Sequence, residues 1–195
     1  MATKSIKGTR TEKRLVEAYI AESTAYSRYT FYAAQAGKEQ YFPIQKIFTE
    51  TAENGLRHAK VFFKHLQGGK VEACGTYDAG VIGTTLENLR IAADEELHEG
   101  VEFYTDAAKV AKEEGFPEIA SHFEAIANIE MQHHNRFERY IKQIKDDTVW
   151  KRDEPIRWQC LVCGLIHVGK TPPDETCPAC DHPYQHYMAL DIYDD

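Results

Sequence analysis

At 195 residues the chain is long enough to bury a sizeable core, as one domain or two. A formal net charge of −8, from 31 acidic and 23 basic residues with no Lys/Arg cluster, argues against nucleic acid or an anionic membrane as a partner. No apolar run approaches the ~18 residues of a membrane span, and residues 1–14 are polar and lack the apolar core of a secretory signal, so a cytoplasmic protein is expected.

Up to about residue 147 helix formers dominate, interrupted only by Pro43 and Pro117. From Pro155 onward there are five prolines and four cysteines. In the first region apolar residues recur at steps of three and four, which predicts four amphipathic helices. The first, over 11–36, carries Leu15, Ala18, Tyr19, Glu22, Tyr26, Tyr29 and Ala33 on one face. The second, over 42–66, carries Ile44, Phe48, Thr51, Gly55, His58, Phe62 and His65. The third, over 86–114, carries Leu89, Ala92, Glu99, Glu102, Phe103 and Val110. The fourth, over 117–144, carries Ile119, Phe123, Ile126, Glu130, His133, Phe137 and Ile144. Gly37 and Gly115 read as C-terminal caps, and Pro117 suits the first turn of the helix that follows. Two tight connections and one long glycine-containing connection over 67–83 predict two antiparallel hairpins joined by a crossover. That is an all-α four-helix bundle of ferritin-like connectivity. A charged linker near 146–157 divides the chain into expected domains 1–147 and 148–195.

Residues three apart share a helix face, so Glu130 and His133 aim at one point. A damaged copy of this pair lies 75 residues upstream. Phe123, Ala127, Glu130, His133 and Phe137 are matched at identical spacing by Phe48, Ala52, Gly55, His58 and Phe62, with Gly55 where the carboxylate belongs. Each hairpin adds a lone Glu from its first helix: Glu22 precedes Gly55 by 33 residues and Glu99 precedes Glu130 by 31. Carboxylates on buried stripes are normally paired or metal-bound. Mixed with imidazole they favour iron or manganese, with zinc still open. Taken singly, each Glu could snorkel from a stripe edge and each His could be a satisfied core group. The two-fold pattern favours the metal. His65, His98, His122 and His134 lack such support, and Tyr26, Tyr29 and Tyr104 are expected as core packing close to the ligands, with a hydrogen bond to a ligand or bound oxidant as the alternative.

Cys160-x-x-Cys163 and Cys177-x-x-Cys180, separated by 13 residues, offer a tetrahedral thiolate site for zinc or a single iron. Cys74 is left as a free thiol.

The run Trp158-Gln-Cys160-Leu-Val-Cys163-Gly164-Leu-Ile-His167, followed by Cys177-Pro178-Ala-Cys180, resembles a rubredoxin-type iron site. Glu22-Ser-Thr-Ala-Tyr-Ser-Arg28-Tyr29 and Glu99-x-x-Glu102-Phe-Tyr104 resemble rubrerythrin, and the likeness runs over essentially the whole chain in the same domain order. The resemblance implies a ferritin-like di-iron bundle followed by a rubredoxin-like domain, acting as a non-haem peroxidase in oxidative-stress protection. Hydrogen peroxide would be reduced to water at a carboxylate-bridged di-iron centre. Electrons would pass from NADH through a separate reductase or rubredoxin, then through the iron held by four cysteines. A homodimer is implied, one subunit's rubredoxin-like site approaching the other's di-iron site. The resemblance makes Glu22 and Glu99 terminal ligands, Glu130 a bridge and His133 a ligand of the second iron. His58 and Glu102 would exchange on the first iron as it changes redox state, which makes them the catalytic candidates. Cys160, Cys163, Cys177 and Cys180 would hold the further iron.

Gly55 departs from this pattern, standing where the family carries a second bridging Glu. At ~100° per residue, Glu53 lies about 200° and Glu50 about 140° around the helix from it, so neither replaces it. Either the centre is disabled by a natural or introduced substitution, or water or a shifted carboxylate fills the bridge, or the site holds one metal or a different one. The alternative function is an electron-transfer or metal-binding protein with an inactive or mononuclear bundle site. Iron storage is a third reading, resting on fold analogy alone.

Overall fold

The computed structural model describes residues 5–77 and 79–193. Residues 1–4 of the polar N-terminal stretch, and Asp78 in the 67–83 connection, lie outside the described residues. Helix α1 spans Arg10–Lys38, α2 Phe42–His65, α3 Thr85–Glu95, α4 Phe103–Glu113 and α5 Pro117–Lys145. A π-helical segment, Glu96–Glu102, joins α3 to α4.

The helix ends follow from local chemistry. The Thr9 side chain accepts the Glu12 N–H at the start of α1, and Thr84 with Glu87 forms a reciprocal capping box at the start of α3. Pro43 and Pro117 occupy the first turns of α2 and α5, where a missing N–H is harmless. Gly115 has a φ of +74° just beyond α4. Gly37, expected as the cap of α1, instead lies inside that helix, and Gln40 adopts the left-handed conformation with φ +63°.

Glu114, just beyond α4, caps α1 from outside. It accepts the Thr11 N–H at 2.8 Å, the Thr11 hydroxyl at 2.6 Å and the Arg10 N–H at 3.2 Å. The Thr11 bonds outweigh partial burial and bring its carboxyl from 4.5 down to about 2. Glu114→Ala should therefore cost about 1–2 kcal/mol at neutral pH. With the folded value below the unfolded one, that contribution is complete above pH about 4.5 and fades as pH falls toward 2. Urea melts of parent and variant should differ at pH 7 and converge near pH 2.

The first hairpin pairs α1 with α2 and the second pairs α3–α4 with α5; the glycine-containing connection links them. Two aromatic clusters fill the bundle. In one, Phe48 meets Phe137 with ring centroids 5.1 Å apart, beside Tyr29 and Tyr32. In the other, Phe62 meets Phe123 at 5.0 Å, beside Tyr104. Each fully buried ring contributes about 1.5–3 kcal/mol, and together they close off both ends of a short polar layer.

The third predicted helix is thus not one α-helix. A π turn takes up an extra residue and rotates the chain around it. Gly100, inside that turn, lies against α5, where a β-carbon would stand 2.8 Å from Cβ and Cγ of Glu130. Only glycine permits that approach.

Beyond α5, strands β1 (Ile156–Cys160), β2 (Ile166–Gly169) and β3 (Tyr187–Ala189) form an antiparallel sheet of order β2-β1-β3. Trp158 is fully buried, and its indole donates to the Gly169 carbonyl at 2.9 Å. This module docks on the bundle through Met188 and Ile192, which join the Phe48 cluster. His186 stacks on Phe42 at 3.7 Å, Arg152 pairs with Asp191 at 2.7 Å, and the Tyr193 hydroxyl donates to Glu50 at 2.8 Å. Among the described residues no helix is long and apolar enough to cross a membrane.

Candidate metal centres

Between the two aromatic clusters, Glu22 of α1, His58 of α2 and Glu130 of α5 bring ligand atoms within 4.8 Å of one another. Glu96, at the start of the π segment, does the same with Glu130 and His133. Glu130 belongs to both groups: Oε1 lies 2.8 Å from His58 Nδ1 and Oε2 lies 2.7 Å from His133 Nδ1. His58 Nδ1 is also 3.4 Å from Glu22 Oε1, and His133 Nδ1 is 3.4 Å from Glu96 Oε2. None of the five is more than 7% exposed.

Neighbouring side chains fix these groups. The Tyr104 hydroxyl donates to Glu22 Oε1 at 2.7 Å, and the Tyr29 hydroxyl donates to Glu96, so each lone Glu is held by a tyrosine of the opposite hairpin. The Asn54 amide lies 3.2 Å from His133 Nε2, which orients the ring with Nδ1 toward the carboxylates. Burial, then the Glu130 charge, raises Glu22 to about 7 and Glu96 to about 8. Burial would lower the imidazoles, but the carboxylates override it and raise His58 to about 10 and His133 to about 9. Glu130 resists the same burial because both imidazoles face it, and its carboxyl stays well below the usual range.

The donor set fits iron. His58 Nδ1 and Glu130 Oε1 approach to 2.8 Å and are closed off from solvent, yet neither makes an aligned hydrogen bond. Two buried donor atoms facing each other in this way suit a shared cation. Three carboxylates with two imidazoles are a hard-to-borderline set that iron accepts.

The four cysteines fit a tetrahedral metal as they stand. Sγ of Cys160 and Cys180 are 3.7 Å apart, and those of Cys163 and Cys177 are 3.6 Å apart. A metal–sulfur bond of about 2.3 Å sets tetrahedral sulfurs about 3.8 Å apart. Gly164 (φ +81°) and Asp181 (φ +58°) occupy the same left-handed position after each Cys-x-x-Cys turn. Backbone N–H groups of Leu165, Ala179 and His182 donate to the sulfurs of Cys163, Cys177 and Cys180, contacts that tune such a centre. Cys74 is exposed and belongs to neither site.

Of the bundle residues expected as ligands, Glu22, His58, Glu130 and His133 come together. Glu99 and Glu102 do not join them. Glu99 lines a cavity of about 30 Å³ at the cluster, along with Thr51, Gly55, Gly100 and the cluster residues Glu22, Glu96, Glu130 and His133. Glu102 points outward, its side chain 64% exposed and paired with His98 at 3.0 Å. The π turn is the physical reason: it breaks the fixed period on which the stripe was drawn, and Glu96 takes the position expected of Glu99. A trace of this lies in the spacing. Glu22 precedes His58 by 36 residues and Glu96 precedes His133 by 37; Glu22 precedes Tyr29 by seven and Glu96 precedes Tyr104 by eight. The one extra residue in each count is the π insertion. Elsewhere, His65 and His122 hydrogen-bond each other at 2.8 Å, and His134 bonds the Ala93 carbonyl.

Two helical hairpins around a carboxylate–imidazole cluster, with a four-thiolate module appended, define a ferritin-like metalloprotein with a rubredoxin-like domain. Residues 13–141 and 87–159 match the rubrerythrin family, and 158–188 match its rubredoxin-like domain. Rubrerythrin of Porphyromonas gingivalis is 46% identical over 187 residues, covering 96% of this chain and 93% of that one. Rubrerythrin of Nitratidesulfovibrio vulgaris is 42% identical over 189 residues, covering 97% and 98%. Among solved structures, nigerythrin in its fully reduced, all-ferrous state is similar with a TM-score of 0.63 at 25% identity, covering 97% of this chain and 92% of that one. The chain belongs to the rubrerythrin family, with a di-iron site in the bundle and a four-cysteine iron site beyond it.

Proposed function

We propose that this chain is a peroxidase, reducing hydrogen peroxide to water at the bundle centre with electrons relayed through the four-cysteine iron. The observation that carries the reading is the small cavity of about 30 Å³ at the carboxylate–imidazole cluster itself, lined by Glu22, Glu96, Glu130 and His133 together with Thr51, Gly55 and Glu99, which opens space only for small species against the ligand atoms. Peroxide takes up two electrons and two protons to give two waters, and iron held by Glu22, Glu96, Glu130, His58 and His133 would supply the electrons. We assign Glu22, Glu96, Glu130, His58 and His133 as the bundle ligands and Cys160, Cys163, Cys177 and Cys180 as those of the four-coordinate thiolate site.

Glu99 lines both the inner cavity and an outer groove formed with Arg14, Thr76, Tyr77 and His98, which puts one carboxylate on the route by which peroxide and protons enter. Exchange of Glu102 onto the first iron would require the π turn to rewind, so Glu99, which lines the cavity, is the nearer carboxylate. Cys163 and Val162 are exposed, which suits electron entry from a protein donor. That donor is a separate reductase or rubredoxin drawing on NADH, and the protein works as a cytoplasmic homodimer. The domain boundary falls at 147/148, just after the end of α5. With Gly55 in place of a bridging Glu, turnover lies below that of a family member carrying the full carboxylate set.

Rapid mixing of the fully reduced protein with peroxide tests this. The visible colour of the oxidised tetrathiolate should develop within the turnover time. A tetrathiolate that stays reduced for minutes would leave an electron carrier with an inactive bundle site, the reading that Gly55 favours.

A further inference from the structure

We propose that Gly55 is the seat of the Glu22 carboxylate: Glu22 leans across from α1 into the space that a side chain at position 55 would fill, and stands in for the carboxylate missing from α2. The proposal rests on reading the bundle as an iron centre. A glycine is usually selected for a positive φ, for close backbone packing, or to make room for another side chain. Gly55 lies within α2 and is not among the positive-φ residues. The nearest backbone atom to a β-carbon built on it would be the Glu22 carbonyl oxygen at 3.9 Å, an ordinary contact. The other atom within 4 Å is Glu22 Oε2, at 2.8 Å. Only the third reason applies, and the side chain concerned is a cluster carboxylate.

The rest of Glu22 is placed for that role. Tyr104 and His58 hold Oε1, at 2.7 and 3.4 Å, which leaves Oε2 over the bare Cα of Gly55. Thr51, one turn earlier on α2, lines the same cavity with a buried hydroxyl that has no hydrogen-bond partner among the described residues, so this wall is polar. In the second hairpin the position matching Gly55 is Glu130 itself, which already serves both groups. Helix α2 contributes no carboxylate, and Glu22 reaches across to the place where one would stand.

A simple vacancy at position 55 and an occupied one respond oppositely to a single methyl group. The test titrates the full chain, its four-cysteine site loaded and its bundle stripped, with ferrous iron under anaerobic conditions, reading heat and iron per chain. Gly55→Ala should fold and melt no lower than the parent, because the displaced atom is the tip of a flexible side chain and alanine favours the helix. Its affinity at the Glu22/His58/Glu130 group should fall on the order of tenfold or more. Glu22→Gln should weaken the same group, and the double variant should be no worse than the poorer single variant, since both changes remove one interaction. Parent-like binding by Gly55→Ala, or full additivity in the double variant, would overturn the proposal while leaving the iron centre intact. A parent whose bundle takes up no iron would overturn the iron-centre reading, and the proposal with it.

Discussion

Glu130→Gln is expected to strip both bundle positions of metal at once, leaving only the iron held by the cysteines. One carboxylate faces both imidazoles, Oε1 toward His58 and Oε2 toward His133, so its loss cannot be confined to one ion. Glutamine keeps the Cβ and Cγ that pack against Gly100, which preserves the helix contact and isolates the charge. In the metal-free protein the same change removes a carboxylate that helps raise both buried imidazoles, His58 to about 10 and His133 to about 9, and leaves them without their shared partner. Removing one partner from a buried charged group costs about 3–5 kcal/mol, a large part of the roughly 5–15 kcal/mol that holds a domain together. Elemental analysis and urea melts of the stripped protein measure the two effects. Glu102→Gln is the contrast: on the surface beside His98, it should leave iron content unchanged and stability within about 0.5 kcal/mol. A Glu130→Gln protein that keeps its bundle iron would refute the shared-ligand geometry.

The legible and illegible parts of this fold divide along a physical line. Helices α1, α2 and α5 are ordinary amphipathic helices, and a stripe of period 3.6 places Glu22, His58, Glu130 and His133 on their buried faces. The pairing of Phe48 with Phe137 and of Phe62 with Phe123 follows from the same repeat. The third helix misleads because its period changes midway. A stripe drawn at constant pitch through a π turn picks Glu99 and Glu102, while the chain turns Glu96 inward. Gly100 explains why the turn can press against α5, yet a glycine in a helical run reads only as a weak breaker. Tyr104 stands close enough to the stripe carboxylates to suggest a ligand bond, but that its partner is Glu22 of the other hairpin, and that Asn54 meets His133, depends on how the hairpins pack, which no local pattern announces. Gly55 shows the limit most directly. Its lack of a carboxylate is readable from the repeat, whereas the presence of Glu22 over it is a fact of three dimensions.

Withdrawing the metal from the four cysteines is expected to unfold the C-terminal sheet while the bundle stays helical. Residues 148–193 number 46, close to the roughly 40 below which a chain normally needs a metal or disulfide to fold. Their core consists of Trp158, Cys160, Cys177, Tyr187 and Ala189, and two of those five are ligands. Burial opposes ionisation of Cys177, but the Tyr187 hydroxyl and the Ala179 N–H reverse that and bring it to about 6, so one thiolate is ready for metal near neutral pH. For a module this small, metal binding is folding free energy, about 10–16 kcal/mol in comparable structural zinc sites. Docking on the bundle through Met188, Ile192 and the hydrogen bond from Arg139 of α5 to the Asp191 carbonyl offsets part of the loss and keeps the segment tethered. Chelation, or Cys160→Ser, should therefore expose Trp158, red-shift its emission and speed amide exchange over 156–189, while helical protection in α1, α2 and α5 persists. Loss of bundle helicity in the same transition would mean that Met188 and Ile192 are structural members of the Phe48 cluster rather than a docking patch upon it.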